Sequence, residues 1–80
     1  MNLTLHYFAS LRDQAGCASE TLAVPAGASL VWLYDELQRR HGFALPRERL
    51  RVAIDDAFVD WASPLHEGAA VVFVPPVSGG

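Results

Sequence analysis

Only one stretch of this chain carries a helical repeat long enough to form a packing layer. From Leu30 the apolar residues fall at 30, 33, 34 and 37, the i, i+3, i+4, i+7 spacing of a single helix face. Ser29 offers a cap for its first turn and Gly42 a stop after its last. At 100° per residue Trp32 points away from this stripe, among Asp35, Glu36, Arg39 and Arg40. A chain of 80 residues with one such helix has to build the rest of its core from strands. Leu3, Leu5 and Tyr7 alternate with Asn2, Thr4 and His6, the period of a strand with one face buried. Ser10, with Asp13 three positions later, reads as the cap of a single helical turn ending at Gly16. Thr21 to Val24 reads as a second strand, hairpinned with the first and stopped by Pro25-Ala26-Gly27. Arg51 to Ile54 and Ala57 to Asp60 flank Asp55-Asp56 as a tight hairpin, and Ala70 to Val74 supply a last strand after a turn at Glu67-Gly68. The expectation is an α+β domain over residues 1–74, a sheet with one main helix across a face.

Composition narrows the function. Hydrophobic residues make up 51% and charged residues 19%, too apolar a balance for intrinsic disorder. One domain of this size has little capacity for a deep cleft, which argues against an enzyme working alone. The formal charge is -3, with nine acids against six bases, so no basic stripe is available for nucleic acid. All six bases are arginines. The lone Cys17 makes no internal disulfide, which suits a reducing cytoplasm. The longest uncharged run, Thr21 to Tyr34, is broken by Pro25 and Gly27 and falls short of the ~20 residues of a membrane span. A soluble cytoplasmic protein is expected.

Side-chain chemistry is sparse. His6, His41 and His66 lie on separate elements with no metal-ligand spacing to Cys17, and no metal site is expected. Asp55-Asp56 and Asp35-Glu36 read as solvated neighbours, and Cys17 as an ordinary thiol in a loop. No phosphate-binding glycine loop is present. What remains is the segment Pro75-Pro76-Val77-Ser78-Gly79-Gly80. Two prolines cannot continue a central strand and favour an extended backbone. Residues 75–80 therefore read as an arm reaching roughly 15 to 20 Å from the domain. Gly79 and Gly80 lack Cβ atoms, so they can thread a narrow channel and leave a terminal carbonyl open to attack. Adenylation would convert the Gly80 carboxylate to a mixed anhydride, and a sulfur nucleophile would displace AMP to give a thiocarboxylate.

Tyr7-Phe8-Ala9 with Leu11-Arg12-Asp13 and Gly16, then Ser63-Pro64-Leu65 with Gly68, and above all the terminal hexapeptide, carry a likeness to a known family. The chain resembles the ubiquitin-like β-grasp sulfur carriers, and most closely the small subunit of molybdopterin synthase, the MoaD family. The resemblance implies a mixed sheet of about five strands packed on one helix, with an extended C-terminal tail. It implies that an E1-like enzyme uses ATP to adenylate Gly80, that a persulfide donor makes the thiocarboxylate, and that the sulfur passes to cyclic pyranopterin monophosphate to build the molybdopterin dithiolene. Gly79 is then the residue that lets the tail through. Catalytic side chains sit on the large subunit, in a heterotetramer of two large and two small chains, and the small chain holds no permanent cofactor. Ala69-Ala70 depart from the acidic pair that commonly follows the last-turn glycine, which bears on contacts with the activating enzyme.

Pro75, Pro76, Val77 and Ser78 belong to the partner-binding arm on this reading, and Phe8, Phe58 and Val74 to the docking surface. Parity alone leaves those last three open between an interface and the core. The alternatives are a sulfur carrier for another pathway, such as thiamine thiazole or cysteine synthesis, and a β-grasp interaction module or ubiquitin-like modifier. Pro75-Pro76 favours the molybdopterin route.

Overall fold

The alternation at the N-terminus produces the strand it predicts. In the computed structural model, which describes residues 1–76, strand β1 (Asn2–Tyr7) buries Leu3, Leu5 and Tyr7 and turns Asn2, Thr4 and His6 to the other side. Helix α1 (Ala9–Ala15) follows, then β2 (Ser19–Ala23), the main helix α2 (Leu30–His41), a 3-10 turn over Arg47–Arg49, β3 (Arg51–Ile54), β4 (Ala57–Val59) and β5 (Ala70–Val74). The strands form one sheet in the order β2-β1-β5-β3-β4. Among the described residues only the β1–β5 pair is parallel; β1–β2, β3–β4 and β3–β5 run antiparallel.

Helix α2 forms for the reasons its sequence gives. The Ser29 hydroxyl accepts a hydrogen bond from the Trp32 amide at 3.0 Å, and Gly42 closes the helix in the left-handed region at φ 71°. Leu30, Leu33, Tyr34 and Leu37 are fully buried against Leu3, Leu5, Tyr7, Val52, Val71 and Phe73 of the sheet. Each such burial contributes about 1.5 to 3 kcal/mol, and Leu11, Leu22, Phe43 and Leu50 extend the same core. Trp32 stays 41% exposed on the polar side, as its phase requires.

Three local expectations change, and one element was not expected at all. The first helix is capped by Phe8, whose side chain makes no capping bond, and Ser10 lies inside a two-turn helix instead of ahead of one turn. Gly16 does end it, at φ 77°. The second strand starts earlier and ends one residue sooner than its apolar run, at Ser19–Ala23, because its register is set by β1: Leu3 faces Leu22 and Leu5 faces Glu20. It pairs antiparallel with β1 but is joined to it through α1, so the two are not a tight hairpin. The 3-10 turn at Arg47–Arg49 carries no apolar periodicity, and its backbone bonds run to Pro46 and Arg47 alone. By contrast the β3–β4 hairpin turns at Asp55-Asp56 as read, with both residues at positive φ (51° and 70°).

Candidate functional site

The root of the tail is built into the middle of the sheet. β5 lies between β1 and β3, with Tyr7 opposite Phe73 on one side and Arg51 opposite Val74 on the other. Phe73 is fully buried, stacked on Trp61 (ring centroids 5.5 Å apart) and edge-on to Tyr34 at 5.2 Å. Trp61 is itself held by donation from its indole N–H to the Leu50 carbonyl at 3.2 Å. The Tyr34 hydroxyl donates to the Leu45 carbonyl at 2.5 Å, and burial pushes its pKa up to about 12. The last strand thus ends over a locked aromatic cluster. Pro75 and Pro76 follow with no ladder partners, since a proline has no N–H to give a central strand.

Register decides which side each remaining residue takes. Val71 and Phe73 point into the core, so Ala70, Val72 and Val74 point to the face opposite α2. There Val72 lies between His6 of β1 and Ala53 of β3, and Ala53 in turn faces Phe58 of β4. Phe8 continues the alternation past Tyr7 in extended backbone (φ -126°, ψ 154°). Phe8 is 53% and Phe58 59% exposed, and Val74 is half-buried. The expected docking residues Phe8, Phe58 and Val74 are therefore all outside the core, with Phe58 level with Val72 at mid-sheet and Val74 at the end of β5. Val77, Ser78, Gly79 and Gly80 lie outside the described residues, while Pro75 is half-buried and Pro76 exposed.

The sequence reading missed Arg51, Val72 and His6 as members of this face. Parity along β5 flags Val72, but placing it against Phe58 needs the β5–β3–β4 register, which no local pattern contains. Arg51 lays its guanidinium over the Phe58 ring, 4.3 Å from the centroid. The other histidines sit elsewhere, His41 2.6 Å from the Glu20 carboxylate and His66 2.8 Å from that of Asp55. Asp55 is more than a solvated acid, because its second oxygen accepts from the Ala70 amide at 3.0 Å and ties the β3–β4 turn to the start of β5. Ala69 is fully buried, so the departure from an acidic pair falls at that position in the core and not on a contact surface.

One helix grasped by a five-strand mixed sheet, with the chain leaving from the central strand, defines the ubiquitin-like β-grasp class. The ThiS family profile matches residues 5–80, and the chain belongs to the ThiS family. The molybdopterin synthase sulfur carrier subunit of Homo sapiens is 32% identical over 78 residues, spanning 92% of this chain and 89% of that one. Among solved structures, SAMP1 from Haloferax volcanii superposes with a TM-score of 0.83 at 21% identity over 100% of both chains. Subunit 1 and 2 of the molybdopterin-converting factor from Helicobacter pylori 26695, solved as a protein–protein complex, gives 0.71 at 22% identity over 100% of both chains. At those identities the two structures are likenesses of fold. Among the described residues no helix is long and apolar enough to cross a membrane.

Proposed function

We propose that this chain is the sulfur-carrier small subunit of a molybdopterin synthase, with residues 1–74 as the docking domain and 75–80 as the arm that carries the sulfur. The observation that carries the reading is the match to the human sulfur carrier subunit across 92% of the chain. The fold supports it by rooting the arm in a central strand beside an exposed apolar face. On this reading an oxygen of the Gly80 carboxylate attacks the α-phosphorus of ATP on an E1-like enzyme and pyrophosphate leaves. The terminal sulfur of a persulfide donor attacks the acyl carbon and AMP leaves. A second donor thiol then cleaves the sulfur–sulfur bond, supplying two electrons and leaving the thiocarboxylate. A partner large subunit, in a heterotetramer of two copies of each chain, provides the catalytic side chains and the water-excluding pocket in which the sulfur reaches cyclic pyranopterin monophosphate. Gly80 returns to a carboxylate, and two charged carriers complete one dithiolene. ATP belongs to the activating step, so the carrier needs no resident cofactor, and the chemistry suits the reducing cytoplasm.

The test is the intact mass of the protein after incubation with the activating enzyme, ATP and a persulfide donor. Replacement of oxygen by sulfur adds about 16 Da, expected at Gly80. Addition of the large subunit and the pyranopterin then removes that increment and yields the dithiolene. An increment that a thiazole-forming system discharges and the pyranopterin does not would assign another sulfur pathway. High-mass conjugates on target lysines in place of the increment would assign a modifier.

A further inference from the structure

The chain contains no lysine: its six basic residues are Arg12, Arg39, Arg40, Arg47, Arg49 and Arg51. That bears directly on an acyl group activated at Gly80, because lysine and arginine differ most as nucleophiles. A lysine amine that sheds its proton carries a free lone pair and attacks an acyl carbon to form a stable amide. A guanidinium keeps its proton throughout the physiological range and its nitrogen lone pairs are delocalised, so it does not.

The difference matters most beside the root of the tail. Arg51 is the register partner of Val74, one strand spacing of about 5 Å from the residue that precedes the arm. It is exposed, and its guanidinium rests on the Phe58 ring at 4.3 Å from the centroid. Arg49, in the 3-10 turn just before β3, is exposed as well. Residues 75–80 span up to roughly 20 Å, so side chains at 51 and 49 lie inside the reach of Gly80. An amine at either place would meet the activated carbonyl at an effective concentration of about millimolar or more. The basic groups that stand there are guanidinium groups.

Met1 carries the α-amine, and the sheet holds it at the other end. β1 runs parallel to β5 with Thr4 opposite Ala70 and Tyr7 opposite Phe73. Met1 is therefore about seven residues, or roughly 23 Å, back from the level of Val74, beyond an arm folded straight back along the sheet. Its ammonium donates to the Val24 carbonyl at 2.7 Å, the Val24 amide donates back to the Met1 carbonyl at 2.8 Å, and the Met1 side chain packs on the core. The tail of a second copy thus meets a partly buried amine engaged in a hydrogen bond.

Resting on the activation of Gly80 in the reading above, we propose that the domain offers its own activated tail no amine, so that Gly80 acylates neither its own chain nor another copy and stays available to sulfur. The reaction excluded is attack of a nitrogen lone pair on the carbonyl of the Gly80 acyl-adenylate. It would form a carbon–nitrogen bond, with AMP leaving and the amine proton passing to solvent. The consequence extends past sulfur carriage: where an amine of another protein takes the tail, one copy adds and no chain of copies grows upon it.

The experiment incubates the full chain with the activating enzyme and ATP but no sulfur donor, then strips thioesters with hydroxylamine and follows intact mass alongside AMP release. The unaltered chain is expected to release AMP by hydrolysis and to show no amide product. Arg51→Lys and Arg49→Lys, each made singly, are expected to give an amide-linked ring, lighter by one water, or an amide-linked dimer. The yield per AMP released should be at least about tenfold above that of the unaltered chain, with the linkage mapped to the substituted position. Arg51→Gln, which removes the guanidinium without supplying an amine, gives no amide. Amide products of the unaltered chain through Met1, or lysine variants that release AMP yet form no amide, overturn the inference while leaving the carrier reading intact. A chain from which no AMP is released removes both.

Discussion

Replacing Glu20 by Ala tests whether the polar contacts under the sheet edge are energetically coupled. One carboxylate oxygen of Glu20 accepts from the Tyr7 hydroxyl at 2.5 Å and lies 2.6 Å from Nε2 of His41, joining β2 to β1 and to the last turn of α2. Tyr7 is only 1% exposed, so its phenol has no ready substitute in water. A buried donor left without a partner costs about 1 to 3 kcal/mol, and the lost His41 contact about 1 more, for a total of about 2 to 4. Against roughly 4 to 12 kcal/mol for a domain this small, thermal unfolding should move down by about 10 to 25 °C. Tyr7→Phe behaves differently. It leaves Glu20 with His41 and with water, since that side chain is 26% exposed, and costs only about 1 kcal/mol. In the Glu20→Ala background the same change removes the orphaned hydroxyl and should raise the melting temperature. A double-mutant cycle followed by circular dichroism reads that sign directly. Equal losses from Tyr7→Phe in both backgrounds would refute the reasoning. The pH limbs give a second readout. Burial pushes the Glu20 carboxyl up, but the Tyr7 and His41 hydrogen bonds outweigh it and hold the group below its usual 4.5. Its contribution is therefore complete above pH 4.5 and lost as the pH falls through the lower folded value, so the acid limb is flatter in Glu20→Ala. Burial and then the Glu20 bond raise Tyr7 above its usual 10, so its contribution is complete below pH 10 and lost on the far alkaline side.

Phe58→Ala should weaken binding to the large subunit by at least about tenfold, measured calorimetrically, while stability changes by less than about 1 kcal/mol because the ring is exposed; unchanged affinity would move the docking face elsewhere. Asp55 is held below its usual 3.8 first by the Ala70 amide and then by His66, while His66 is held above 6.5 first by the Glu67 carbonyl and then by Asp55. The stability these contacts add is complete between pH 3.8 and 6.5, falling away as acid protonates Asp55 and as rising pH discharges His66. NMR titration of the His66 ring in Asp55→Asn should show its pKa shifted back toward 6.5, and an unmoved curve would dissolve the pair. Asp56 sits at φ 70°, where a glycine carries no Cβ strain, so Asp56→Gly should stabilise the hairpin by up to about 1 kcal/mol in urea unfolding. A loss there would mean that the Asp56 side chain does more than occupy the turn.

What could be read from the residues and what could not divide along a physical line. Helix α2 was legible because its stripe, its Ser29 cap and its Gly42 stop all act within four residues of one another. The alternation of β1 was legible for the same reason, and so were the last strand, as an apolar run after the Glu67-Gly68 turn, and its end, since Pro75 blocks the ladder wherever its neighbours lie. Phe8 shows the limit. Its cap position at α1 comes from the way β1 hands its extended backbone to the helix, and the better local capper, Ser10, loses to that geometry. The start of β2 was set by Leu22 meeting Leu3 across the sheet, and Ala69 was buried by closure of the 60–69 loop; neither has a local signature. The face beside the tail is the plainest instance. Phe58, Ala53, Val72 and His6 are drawn from four strands, and they form a row only because β5 inserts between β1 and β3. A chain that delivers its chemistry through a terminal arm needs such a row at the root of that arm, because a partner that takes the tail must also close on the domain there. Pro75-Pro76-Val77-Ser78-Gly79-Gly80 is written in consecutive residues and can be recognised in them, whereas the face beside β5 exists only once the sheet has formed.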